Sequence, residues 1–258
     1  MDGINPFKDI WQNQFDSQLI KDNIEKIFMA SKILTDKESL KTFWGRLLYR
    51  LTYNPLYSYL QPGKDYFHPA CCPSLGDTII DGGAFTGDTV KDFLTSLSEK
   101  CIIHAFEPDL KNFKQLKKLA SKFVHTYNLG LYSEKKELEF ISTGKVGSHI
   151  LNSMSADSVK GVKPNSSIQV IDLDTFCIEQ AVIPSFIKLD VEGAEIDVLE
   201  GGAKTLQKYK PKLAISAYHN YDDLWDIPLK IKEINPDYTL YLAHFGKNPF
   251  WDPIYYAS

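Results

Sequence analysis

The rhythm of apolar and polar positions changes along the chain. Over residues 15–34, Phe15, Leu19, Ile20, Ile24, Ile27 and Phe28 recur at the spacing of an amphipathic helix. Thr35 and Glu38 form a T-x-x-E capping box. It predicts a second helix with Leu40, Phe43, Trp44, Leu47 and Leu51 on one face. Residues 53–76, rich in Pro, Gly and Tyr, read as a linker or lid. From residue 77, short apolar runs alternate with helical patterns. "TIID", "CIIHAFEP" and "VHTYNLGLY" read as strands, and "DTVKDFLTSLSE" and "DLKNFKQLKKLASKF" as the helices between them. "KELEFIST" is a further strand, and 143–167 a polar surface loop. "IQVIDLDTFCIEQ" reads as a strand running into a helix capped by Asp174. "SFIKLDVEG" and "PKLAISAYHN" are buried strands. The helix between them, "AEIDVLEGGAKTLQKY", is stopped or bent near Gly201–Gly202, and "YDDLWDIPLKIKEINP" is another helix.

This alternation predicts an α/β fold with a parallel sheet and right-handed crossovers. The last two runs, "YTLYLAHFG" and "DPIYYAS", are too close for a parallel crossover, so they form an antiparallel hairpin. The chain divides into a helical N-terminal extension or lid, 1–70, and a main domain, 71–258.

Composition narrows the function. The net charge is −4 and the pI about 5.9, which argues against a nucleic-acid partner. No apolar run approaches the ~20 residues of a membrane span, and the N-terminus lacks a signal-peptide pattern. Cys71, Cys72, Cys101 and Cys177 fit neither a zinc knuckle nor a redox pair and read as reduced thiols of a cytoplasmic protein.

Three features end predicted parallel strands, the edge at which open α/β sheets bind ligands. In Asp81-Gly82-Gly83-Ala84-Phe85-Thr86-Gly87, glycines let the backbone turn sharply before a helix N-terminus. The acid that opens the turn would repel a pyrophosphate and suits a ligand bearing an amino group or a sulfonium. A turn of purely structural origin has the same glycines. Glu107 ends the second strand 20 residues after Gly87, where a carboxylate accepts both hydroxyls of a ribose. The alternative is a helix-start acid favoured by the helix dipole. Asp190 closes "SFIKLD" at the same edge, whereas Glu192 and Glu195 suit the first turn of the next helix.

With these features in register, the chain resembles the FkbM family of S-adenosylmethionine-dependent methyltransferases over roughly residues 76–258. The motifs are "DGGAFTGDT", "HAFEPDLKNFKQLKK", "NLGLYSEKKELEF", "VIDLDTF" and, most specific, "IKLDVEGAEIDVLEGG". Phe85 stands where the family usually has Asn. The resemblance implies a Rossmann-like class I methyltransferase fold: a seven-stranded, mostly parallel sheet with an antiparallel last strand. It implies S-adenosyl-L-methionine as cofactor, held by residues 81–87, Glu107, Pro108, Asn128 and Asp190. It also implies O-methyl transfer to a small acceptor, a hydroxyl of a sugar or nucleotide-sugar. The alternatives are an NAD(P)-dependent oxidoreductase, disfavoured by the missing G-x-G-x-x-G, and a non-catalytic nucleotide-binding protein.

A sugar hydroxyl needs a base or a metal to become a nucleophile near pH 7. His219 and His244 end two strands beside Asp190, with His219 the first choice for general base. Asp190 and His219, helped by Asn220 or Glu192, could instead hold Mn²⁺ or Mg²⁺. Lys188 shares the face of Asp190 and reads as a core-edge lysine or a contact for a substrate anion. Tyr53, Tyr57, Tyr59, Tyr66, Phe67, Trp225, Trp251, Tyr255 and Tyr256 supply core packing and candidate stacking surfaces. Ser148 and His149 are candidate contacts from the polar loop, and the N-terminal helices offer a surface for a homodimer.

Overall fold

The computed structural model describes residues 17–52, 54–141, 149–150, 165–245 and 253–258. Phe15, Tyr53, Ser148 and Trp251 lie outside the described residues, as does most of the polar stretch 143–167.

Among the described residues, the first elements are three helices: α1 (Ser17–Asp22), α2 (Ile24–Ile33) and α3 (Lys37–Thr52). The single helix predicted over 15–34 is broken at Asn23. The cap of α3 is Asp36, whose carboxylate accepts the N–H of Ser39 at 2.8 Å, in place of the predicted Thr35 box. After the strap 54–77 come β1 (Thr78–Gly82), α4 (Asp88–Ser96), β2 (Ile102–Phe106), α5 (Leu110–Leu116), β3 (Val124–Tyr127), β4 (Gly130–Tyr132), β5 (Lys136–Ile141) and β6 (His149–Ile150). They are followed by β7 (Ser166–Asp172), α6 (Leu173–Glu179), β8 (Phe186–Leu189), α7 (Glu195–Gly201), α8 (Ala203–Tyr209), β9 (Lys212–Ser216), α9 (Asp223–Ile234), β10 (Leu240–His244) and β11 (Pro253–Ala257).

The main sheet has seven strands in the order β10-β11-β9-β8-β1-β2-β3. All are parallel except β11, which runs antiparallel to both β10 and β9. The terminal hairpin is therefore present, with its second strand inserted between β9 and β10.

Alternation along β1 splits the core. Ile80 faces a cluster with Ile187, Leu189, Leu213, Trp225 and Phe176. Ile79 faces the other way, onto Val90 and Phe93 of α4 together with Ile103 and Phe186. Ile27 and Ala30 of α2, Leu34 just after it, and Phe43 and Leu47 of α3 belong to the first cluster, so the N-terminal helices and the sheet share one core. Ion pair Lys26–Asp226 (3.0 Å) and the bond from Leu242 N to Ser39 Oγ (2.8 Å) tie the two together.

Two sequence readings are corrected. "VHTYNLGLY" is not one strand: it breaks after Tyr127, and β4 joins a separate four-stranded sheet, β4-β7-β5-β6. The Asn128 amide explains the break, donating to the carbonyls of Glu107 (2.9 Å) and Pro108 (3.0 Å) and turning the chain. The cap of α6 is Asp172, which accepts the N–H of Thr175 at 2.8 Å. Asp174 instead accepts the N–H groups of Lys204 and Thr205 at 3.1 and 2.7 Å, capping α8 from the side.

Candidate active site

The C-terminal edges of β2, β1, β8 and β9 border a groove of about 260 Å³. Its β2 end is made by Glu107, Pro108 and Asn112, with apolar walls from Phe106, Leu131 and Phe140. Its middle is the turn Gly83-Ala84-Phe85 with Asp88 and Thr89. Its β8 end is made by Lys188, Asp190, Val191, Glu192, Tyr218 and Tyr66 of the strap.

The turn has a demanding backbone. Gly83 has φ +72, and a Cβ there would stand 1.8 Å from the Asp190 carbonyl oxygen, so β1 and β8 approach only because this residue is glycine. Gly87, at φ +92, would meet the Leu119 side chain at 2.3 Å. Phe85 occupies the left-handed region at φ +48, where Gly or Asn is the usual occupant. Its N–H donates to Glu107 Oε2 at 2.9 Å, and that of Asp109 donates to Oε1 at 2.9 Å. Burial outweighs these bonds and pushes the Glu107 carboxyl up to about 7. The Asn112 side chain also donates to this carboxylate.

Asp81 does not line the groove. It is fully buried and paired with Lys188, its cross-strand neighbour, at 3.0 Å. The Thr89 hydroxyl also donates to it. The remaining Lys188 contacts go to the carbonyls of Gly82 (3.0 Å) and Gly83 (2.6 Å). The cation that the acid-first turn calls for is thus supplied by the protein itself. This corrects the reading of Asp81 as a direct ligand group.

Asp190 stands at the groove with both oxygens engaged, Oδ1 by Tyr218 OH (2.8 Å) and Oδ2 by Tyr66 OH (3.1 Å). Burial would raise its pKa. Lys188, His219 and the hydroxyls of Tyr218 and Ser216 together hold it below the usual carboxylate range.

The surroundings of His219 disfavour a role as general base. Burial disfavours its charged form, yet Glu195 at 2.9 Å, Glu192 at 3.7 Å and Asp190 at 3.4 Å overcome this and raise it to about 10. It is an imidazolium near pH 7 and has no lone pair for a hydroxyl proton. His244 is also outside the groove. It is buried at the end of the edge strand β10, three strand spacings or about 14 Å from β8, and its carbonyl accepts the Gln61 N–H at 2.8 Å.

The surroundings of His219 compete with a divalent metal at Asp190 and His219, because a ligating imidazole must give up the proton that Glu195, Glu192 and Asp190 favour. Glu195, His219 and Asp223 do place ligand atoms within 4.8 Å of one another. Glu195, however, accepts the N–H groups of Val191 (2.9 Å) and Gly193 (3.1 Å), and Asp223 accepts the Asn220 N–H (2.6 Å) and side-chain amide (3.1 Å). The imidazolium already plays the cation.

Of the residues singled out in sequence, Tyr66, Gly83, Ala84, Phe85, Glu107, Pro108, Lys188, Asp190 and Glu192 meet at the groove. Gly82, Thr86, Gly87 and Asn128 shape the turns behind it. Sequence reasoning missed Tyr218, although it sits at the same strand end as His219. Tyr66 was noted only as an aromatic residue of the lid. Leu131 and Phe140 depend on the second sheet. Among the described residues, no helix is long and apolar enough to cross a membrane.

The profile of the methyltransferase FkbM domain matches residues 81–247. No curated protein matches the chain. The crystal structure of methyltransferase FkbM from Methylobacillus flagellatus KT is similar, with a TM-score of 0.76 and 25% identity over 93% of this chain and 60% of that one. The chain thus spans about three fifths of that structure's length. Aeropyrum pernix fibrillarin, solved with natively bound S-adenosyl-L-methionine, is a more distant likeness, with a TM-score of 0.41 and 10% identity over 84% of this chain and 76% of that one. A fold of seven strands with an inverted β11, a glycine turn facing Glu107, and a family match across 81–247 lead to one conclusion: this chain belongs to the FkbM family of methyltransferases.

Proposed function

We propose that the protein is an S-adenosylmethionine-dependent O-methyltransferase whose acceptor is a sugar hydroxyl. The observation that carries this reading is the Glu107 carboxylate. It is oriented by two backbone N–H groups at the end of β2, beside an apolar slot and the glycine turn. That arrangement suits an adenosine, with the ribose hydroxyls donating to Glu107 and the base lying against Phe106, Leu131 and Phe140. When bound, S-adenosylmethionine supplies an activated methyl group together with its own leaving group.

The remaining work belongs to the chain: to orient the acceptor oxygen in line with the methyl group and to receive its proton. Glu192 is the half-exposed carboxylate at the β8 end of the groove, carried at φ +54 on a strained backbone. In place of His219, it accepts the hydroxyl proton and passes it to water. His219 holds the acids of this end in position. Lys188 is the one cation among the described lining residues, and it is paired with Asp81 and donates to the carbonyls of Gly82 and Gly83. A neutral sugar therefore suits the groove better than the diphosphate of a nucleotide-sugar.

The test is mass spectrometry of reactions with methyl-labelled cofactor, EDTA and a panel of simple glycosides and nucleotide-sugars. The expected outcome is a gain of one labelled methyl on a glycoside hydroxyl. Transfer restricted to nitrogen or to nucleic acid, or no transfer to any hydroxyl, overturns the reading.

A further inference from the structure

The turn after β8 presents Asp190 and Glu192 to the groove, and its backbone is costly: Glu192 and Gly193 stand at φ +54 and +98. It is held from the loop between β9 and α9. His219 Nδ1 lies 2.9 Å from Glu195 Oε1, and the Asn220 side-chain amide donates to the Gly193 carbonyl at 3.2 Å. That loop is itself anchored from far away in the chain. Arg50, near the end of α3, is buried, and its Nη1 donates to the Tyr221 carbonyl at 2.6 Å, across 171 positions. Asp223 at the end of the loop accepts the Asn220 N–H at 2.6 Å and the Asn220 side-chain amide at 3.1 Å.

A line of contacts therefore runs from α3 through the loop to the turn. We infer that Arg50 is a positioning residue of the active site: it holds the β9–α9 loop and, through Asn220 and His219, the turn that presents Asp190 and Glu192. The catalytic consequence rests on the reading of Glu192 given above; the anchoring does not.

Burying a guanidinium is costly unless its charge and donors are met. Packing α3 on the sheet needs only apolar side chains such as Phe43 and Leu47. Arg50 meets a loop carbonyl, and Asp223 and Asp222 favour its charge. Burial lowers it to about 10, so it remains a cation near pH 7. The other ties of the N-terminal helices go elsewhere, Lys26 to Asp226 of α9 and Ser39 to Leu242 of β10. Arg50 also lies outside the family match at 81–247, so the family pattern does not include it. Methyl transfer needs its groups in place to within about 1 Å, and a shift of that size costs up to about 100-fold in rate.

Hydrogen–deuterium exchange on the full chain tests the anchoring without any acceptor. Arg50→Met should speed exchange about tenfold in segments 190–195 and 218–223 and leave the glycine turn 81–87 as in the wild type. Arg50→Lys, which keeps the charge and a donor, should show the same pattern at reduced size, and it decides the matter if Arg50→Met does not fold. Ser39→Ala, which cuts a different tie of the same helices, should leave 190–195 unchanged. In kinetics with the glycoside found by the panel above, Arg50→Met should lower kcat about tenfold, Arg50→Lys should regain most of it, and Ser39→Ala should keep it. Calorimetry with 5′-methylthioadenosine, which reaches only the Glu107 end, should stay within about twofold in all three variants. Unchanged exchange at 190–195, or faster exchange spread evenly over the chain, overturns the inference, as does a loosened turn with full kcat. A wild-type protein that methylates no glycoside overturns the function proposed above, and the exchange pattern still decides the role of Arg50.

Discussion

Glu107 has two backbone donors and is still pushed up to about 7, because its burial costs the charged form more than the bonds return. The sign follows. A carboxyl raised above its unfolded value favours folding fully below pH ~4.5, and this contribution is lost as the pH rises through 7. Ribose hydroxyls donate to the anionic form, so cofactor binding should release a proton. Affinity for S-adenosylmethionine should rise up to about tenfold per pH unit toward pH 7 and level off above it. Calorimetry in buffers of different ionisation enthalpy checks this, and Glu107→Gln should flatten the profile. Glu107 was legible in the sequence because a strand-ending acid needs only the strand's position to be placed. The charge of His219 was not legible, because it depends on Glu195 and Glu192, which the turn after β8 brings to its ring. Asp81 was misread because its partner lies across a strand register that one-dimensional spacing does not show.

The β1–β8 pair holds the site together. Asp81 and Lys188 face each other in register, buried at the centre of the sheet, and Gly83 lets the two strand ends touch. Lys188→Met leaves a buried carboxylate without its cation and should cost about 3–5 kcal/mol in urea unfolding. Adding Asp81→Asn should recover most of that loss. If the double variant is no better than the single one, the pair is not the source of the penalty. Strands and helices of the main sheet were legible because each is one apolar run with its own period. The break at Asn128 and the second sheet were not, because a side chain bonding back to residues 107 and 108 leaves no mark in the hydrophobic pattern.

For the molecule as a whole, the N-terminal helices are part of the core on one face of the sheet. Ile27, Phe43 and Leu47 are buried in the same cluster as Trp225 and Leu242. Removing residues 1–52 should yield a less stable, aggregation-prone chain rather than a free-standing domain, as measured by unfolding midpoint and light scattering. An unchanged midpoint would show the helices to be dispensable. The same contacts bear on how the protein is made. Lys26 and Ser39 bond to residues 200 and 203 positions later. At roughly 5–20 residues per second, these helices wait about 10–40 s after leaving the ribosome for the surface that covers them. During that interval Ile27, Phe43 and Leu47 have no partner from α9 or β10, so slowed synthesis of the last third of the chain lengthens the period in which a chaperone is most needed.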